Sequence, residues 1–164
     1  MVNVTVRADE DQWIVCQPRG KGFQVLMPQD PVVRESDRSA DDKTPRITSY
    51  RALLKSLRDS EVEVKVEEWP ERALANRSPD GVLDDAVKSA LKTYNARGIS
   101  NDPLVIGKHP GRDVVFENRR SHFHVHFLVV LDRLYQVMSV FNKSEVNDEV
   151  SDKFLDSFKL VKSN

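Results

Sequence analysis

Three histidines at alternate positions, His122, His124 and His126, are the residues here whose type and spacing could do chemistry. Alternation puts all three imidazoles on one face of a β-strand and Phe123, Val125 and Phe127 on the other. If Arg119-Arg120 is a two-residue turn, hairpin register sets Glu117 opposite His122 and Asp113 opposite His126. Val114 and Phe116 then join the apolar face. Successive imidazoles stand on Cα atoms roughly 6.6 Å apart, so two of them can close on one Zn²⁺ or Cu²⁺. The outer pair is twice as far apart, so a carboxylate would have to complete the site. His122, His124, His126, Glu117 and Asp113 are therefore the candidate metal ligands, and a hydrolase built on them is the enzymatic reading.

The plainer reading carries more weight on the sequence alone. It is a polar sheet face whose imidazoles hydrogen-bond to the same carboxylates. Those carboxylates should raise the histidine pKa values. Extending the register across a turn at Leu131-Asp132 sets Val137 beside His126 and Ser139 beside His124. That turn lacks a glycine, and a slip of one residue there would invert the faces of the following strand.

Other segments are less chemical. His109-Pro110-Gly111-Arg112 has the form of a type II turn, with glycine supplying the positive φ. The cations Lys108, Arg112, Arg119 and Arg120 fall at opposite ends of one strand and make no continuous patch, so no nucleic-acid partner is expected. Trp13 and Trp69 read as core or partner anchors. Cys16, the sole cysteine, follows Trp13-Ile14-Val15 and reads as a core residue. No G-x-S-x-G, Walker A, H-E-x-x-H or C-x-x-C sequence occurs, which lowers the expectation of catalysis.

The elements that must hold the histidines follow from periodicity. Residues 12–16 and 22–27 read as short strands, closed by Pro28. From about 29 to 46 the chain is polar and reads as an exposed, mobile loop. Ile47, Tyr50, Leu53, Leu54 and Leu57 have helical spacing, whereas Glu61–Glu67 alternates as a half-buried strand that demands a partner. Ser78 as N-cap and Pro79 at the first position open a helix over about 80–97. Leu83, Val87, Leu91 and Tyr94 form its buried stripe, an Asp84–Lys88 pair its wet side, and Gly98 its stop. Strands at 104–106, 112–118, 122–130 and 133–141 then form an antiparallel meander, and a helix at about 147–157 turns Val150, Phe154 and Phe158 inward.

A chain of 164 residues fits one domain with a core of its own. The formal net charge of −1 supplies no field to gather nucleic acid or an anionic membrane. No apolar run is long enough to span a bilayer. The expected location is cytoplasmic if the chain is full-length and extracytoplasmic if an export signal has been trimmed.

The order F-x-V-x-M-P at Phe23–Pro28, H-P-G-R at His109–Arg112, R-L-Y-Q-V at Arg133–Val137 and K-F-L-D-S-F-K-L at Lys153–Leu160 resembles small bacterial proteins of PsbP-like fold. That fold is shared by the extrinsic P subunit of photosystem II and the Ran-binding yeast Mog protein. The resemblance implies an α+β domain, an antiparallel sheet of about six strands with helices on both faces. It also implies a strand over 46–54 paired with 61–67, against the helical spacing. Relatives tend to carry arginine near 124 and 126, which favours a polar face. The resulting expectation is a monomeric, non-catalytic binding or accessory domain without a cofactor, acting on a protein partner. Metal binding at the histidine strand is the alternative.

Overall fold

The computed structural model describes residues 12–36 and 43–162. Its elements are β1 (Ile14–Cys16), β2 (Phe23–Met27), β3 (Val32–Glu35), β4 (Arg46–Leu53), β5 (Glu61–Glu68), α1 (Pro79–Thr93), β6 (Arg97–Ile106), β7 (His109–Glu117), β8 (Ser121–Val130), β9 (Arg133–Asn142), α2 (Asp148–Asp156) and β10 (Lys159–Leu160). Seven strands form one antiparallel sheet in the order β3-β4-β5-β9-β8-β7-β6, and β1-β2-β10 form a second, three-stranded sheet. The α+β class holds, but the main sheet is larger than the six strands expected. The expected helical cover is corrected too. α1 covers one face, whereas the other is covered by the small sheet with α2 beside it.

The ambiguous segment is a strand. β4 pairs along its whole length with β5, from Arg46↔Glu68 to Leu53↔Glu61. The helical spacing fails because Tyr50 and Ala52 are buried on one face while Leu53 and Arg51 point outward, a period of two. The expected loop at about 29–46 holds β3, which pairs with β4; residues 37–42 lie outside the described residues.

α1 begins as its sequence dictates, with the Ser78 hydroxyl accepting from the Gly81 N–H and Pro79 at the first position. It ends at Thr93, five residues before Gly98, and the chain reverses at Asn95 in the left-handed region (φ 47°). Leu83 and Val87 are buried, Leu91 and Tyr94 only partly, and Asp84 turns to Arg112 of β7 at 3.6 Å.

The Pro110-Gly111 turn is also corrected. Both residues lie inside β7, and the reversal is at Gly107 (φ 62°) and Lys108. Glycine is required at 111 for closeness: a Cβ there would sit 2.4 Å from the Phe127 carbonyl oxygen. β6 accordingly starts at Arg97. It is an edge strand, which tolerates Pro103 and a bulge between Gly98 and Ser100.

α2 is capped by Asn147, whose side chain accepts from the Val150 N–H. Phe154 and Leu155 bury against β2 and the inner face of β9, with Phe158 stacked on Phe23 at 5.7 Å. Cys16 is buried and its thiol is pushed up by that burial, then by Asp30, so it is an inert core group.

Candidate metal centre

The hairpin register places the histidines as alternation requires. β7 and β8 pair Asp113↔His126 and Glu117↔His122, and β8 and β9 pair His124↔Ser139 and His126↔Val137. Val114, Phe116, Phe123, Val125 and Phe127 are all buried on the opposite face beneath α1. Register survives the Leu131-Asp132 turn because Leu131 itself takes the left-handed conformation (φ 53°) with its side chain in solvent.

Within the row the five candidates separate into two groups. Asp113 leans toward the middle of the row, so its Oδ1 lies 2.7 Å from His124 Nε2 and 3.7 Å from His126 Nε2. One ligand atom from each of these three residues falls within 4.8 Å of the others. The two rings meet edge to face, 5.5 Å apart at 84°. Glu117 and His122 stay outside. Glu117 Oε1 is held by Arg97 at 3.0 Å and Lys143 at 3.1 Å, and its Oε2 reaches His122 Nδ1 only at 3.8 Å. Lys143 first, and Arg97 with it, hold the Glu117 carboxyl below its usual range.

The rest of the centre comes from β9, where the register already set Ser139 beside His124, and from α2, where no sequence signal marked it. Ser151 of α2 brings its hydroxyl 3.3 Å from His124 Nδ1, and Ser139 of β9 lies 2.6 Å from the same hydroxyl. Both serines are buried. His124 is thus fixed at both nitrogens, by a carboxylate on one side and a hydroxyl on the other. His126 is 8% exposed, and its Nδ1 is buried with no hydrogen-bond partner among the described residues.

Electrostatics follow from burial. The expected rise of the histidine pKa does not occur at His126, which moves down. Desolvation is the largest cause, Asp113 opposes it, and His124 adds to it. Asp156 and Asp152 of α2 also act on His126 from outside the row. Asp113 therefore stands against both imidazoles, and Asp156 and Asp152 add a weaker field on His126 from α2.

The remaining sequence candidates do not assemble with this site. Arg112 points to the opposite face and pairs with Asp80 at 2.9 Å. Trp13 carries the Lys153 ammonium over its ring at 4.7 Å, and Trp69 packs at the edge of the core beneath α1.

The nearly full-length agreement with one solved structure decides the architecture. The solution structure of cyanobacterial PsbP (CyanoP) from Synechocystis sp. PCC 6803 superposes with a TM-score of 0.64 at 12% identity, over 94% of this chain and 95% of that one. The fold is PsbP-like. Two other solved structures resemble it more distantly. One, from Bacteroides thetaiotaomicron, has a TM-score of 0.45 at 11% identity, over 88% of this chain and 47% of that one. The other, a Pseudomonas aeruginosa protein of unknown function, has a TM-score of 0.44 at 8% identity, over 80% and 84% of the two chains. No protein-family model and no curated protein sequence matches this PsbP-like chain. No helix among the described residues is long and apolar enough to cross a membrane.

Proposed function

We propose that this chain is a non-catalytic binding domain that holds a borderline divalent transition metal, Zn²⁺ or Cu²⁺, between Asp113, His124 and His126. The observation that carries this reading is the convergence of one carboxylate and two imidazoles within 4.8 Å on a rigid sheet face. Mixed nitrogen and oxygen donors favour these ions over Mg²⁺ or Ca²⁺, which prefer all-oxygen sites. The hydroxyl on His124 Nδ1 is the kind of outer partner that fixes the tautomer of a metal-bound imidazole.

Asp113, His124 and Ser151 also stand in the order acid, imidazole, hydroxyl. That order supports scaffolding over nucleophilic catalysis here, because the Ser151 side chain is buried and already bonded to Ser139. The test is a Zn²⁺ or Cu²⁺ titration followed through the histidine NMR signals. Selective movement of His124 and His126 at micromolar metal is expected. Silence up to millimolar metal would remove the reading.

A second reading, docking of a protein partner, has its own observation. β3 is an edge strand with all four residues exposed, among them Val32 at 62% and Val33 at 51%. Such an edge can accept an extended segment as a further strand. Comparing proteins that co-purify with the native chain and with Val33→Glu tests it, and identical sets would count against it.

A further inference from the structure

The tip of the β8–β9 hairpin carries a side chain that the fold does not use. Leu131 is 86% exposed, the highest among the large apolar side chains described, and its backbone sits in the left-handed region at φ 53°. A single exposed leucine is ordinary on a protein surface. A leucine exposed in that conformation is not, because hairpin turns draw on glycine or asparagine there at lower cost. The turn is also held firmly, since the Asp132 carbonyl accepts from the Trp69 N–H at 2.8 Å. Backbone strain kept at a fixed, solvent-facing point, with no gain inside the chain, is a mark of function.

The surroundings of Leu131 are cationic. Between it and the chain leaving β10 lies a cleft of about 570 Å³, with Val130, Leu160 and Val161 as apolar wall and Lys162 at its margin. A second cleft, of about 430 Å³, runs from Lys162 to Arg19 in the β1–β2 turn. Lys108, in the β6–β7 turn, adjoins His109 of the first cleft. Arg19, Lys108 and Lys162 are exposed, and none has an ion pair among the described residues. Lys21 and Arg133 nearby share Glu68, at 2.7 and 3.3 Å. Asp132 is the one carboxylate that lines either cleft. The net charge of −1 thus hides one end of the sheet where three unpaired cations accompany an outward leucine.

We infer that this end of the molecule docks on an anionic phospholipid surface. Leu131 enters the boundary between headgroups and acyl chains, and Arg19, Lys108 and Lys162 meet lipid phosphates. Apolar burial and attraction of cations are the two contributions that hold a protein on a bilayer without spanning it. A folded protein partner calls for a broader apolar contact than one leucine offers. Nucleic acid would use the cations and leave the leucine in water.

The test is co-sedimentation of the full chain with vesicles of phosphatidylcholine alone, and of phosphatidylcholine and phosphatidylglycerol in equal parts. Binding to the mixed vesicles only is expected, weakening as salt is raised. Leu131→Gly and Leu131→Asn should each weaken it at least about tenfold. Both residues accept the left-handed backbone, so the thermal midpoint should equal or exceed the parent's. Lys108→Gln and Lys162→Gln should each cost about fivefold. Arg120→Gln, at the opposite end of β8, should change nothing. Leu131→Trp should move its emission to the blue on mixed vesicles, which adsorption by charge alone would not produce. Absence of sedimentation, equal binding to neutral vesicles, full binding by the Leu131→Gly and Leu131→Asn chains, or an Arg120→Gln loss as large as that of Lys108→Gln would each overturn the proposal. No residue of the metal centre takes part, so its failure leaves the metal reading untouched.

Discussion

Asp113 and Glu117 lie on the same strand and the same face, each opposite a histidine, yet the two ends of the row differ in kind. At the far end Glu117 is claimed by Arg97 and Lys143 and keeps its histidine at arm's length. At the near end no cation reaches Asp113 among the described residues, and the carboxylate turns to two imidazoles instead. A carboxylate faces a histidine at both ends; the neighbours contributed by β6, α2 and the segment after β9 differ. A carboxylate beside a histidine turns to the imidazoles only where no lysine or arginine has been folded onto it.

The sharpest way to break that comparison is to neutralise each carboxylate in turn. Asp113→Asn should weaken Zn²⁺ binding by more than about 100-fold, beyond the usual effect of an outer-shell change. Glu117→Gln should leave it within about twofold, a difference calorimetry will read directly. Equal losses would mean that the whole row acts as one site. The next largest effect is expected at Ser151→Ala. Losing the hydroxyl on His124 Nδ1 should cost about 10–100-fold in metal affinity, with His126→Ala as the control that removes a ligand outright. An unchanged affinity would reduce Ser151 to packing.

A smaller effect separates the two ends by acid. His126 is depressed by burial, so in chelator the unfolded chain binds its proton first. Its contribution to stability is full above the unfolded value of about 6.5 and declines as pH falls below it. Glu117 is depressed by its cations, and its contribution declines only at lower pH, through its own folded value. Urea midpoints measured downward from neutral pH should therefore fall in two stages. His126→Gln should abolish the upper stage alone, and Glu117→Gln the lower.

How far this was legible in the sequence depended on the range of each interaction. The β7–β8 register and both of its faces follow from strict alternation, which a half-buried strand enforces. The long strand at 46–53 was legible through resemblance and hidden from local periodicity, because Leu54 and Leu57 of the following turn completed a helical spacing by accident. Pro110-Gly111 misled for the opposite reason. Its glycine is spent on the approach of β7 to Phe127, a contact that no dipeptide rule contains. Ser151, Asp152 and Asp156 were invisible because they act on the histidines only through the packing of α2, and the cover that α1 lends the charged face of β5 is likewise a matter of tertiary packing.

The small sheet joins elements from opposite ends of the described chain. β10 pairs with β2, and the Ser157 hydroxyl accepts from the Leu26 N–H across 131 residues. During synthesis, then, β1 and β2 wait for a closing strand that leaves the ribosome after every other described element. The histidine strand is complete earlier than the helix that seats Ser151 against it. On the proposed metal reading, a nascent chain would present Asp113, His124 and His126 to an ion before the Ser151 hydroxyl reaches His124, and docking of α2 would complete the site. Long separations of this kind slow folding and leave apolar surface uncovered in the interval. The same late step that finishes the fold would then decide whether an ion caught early is kept.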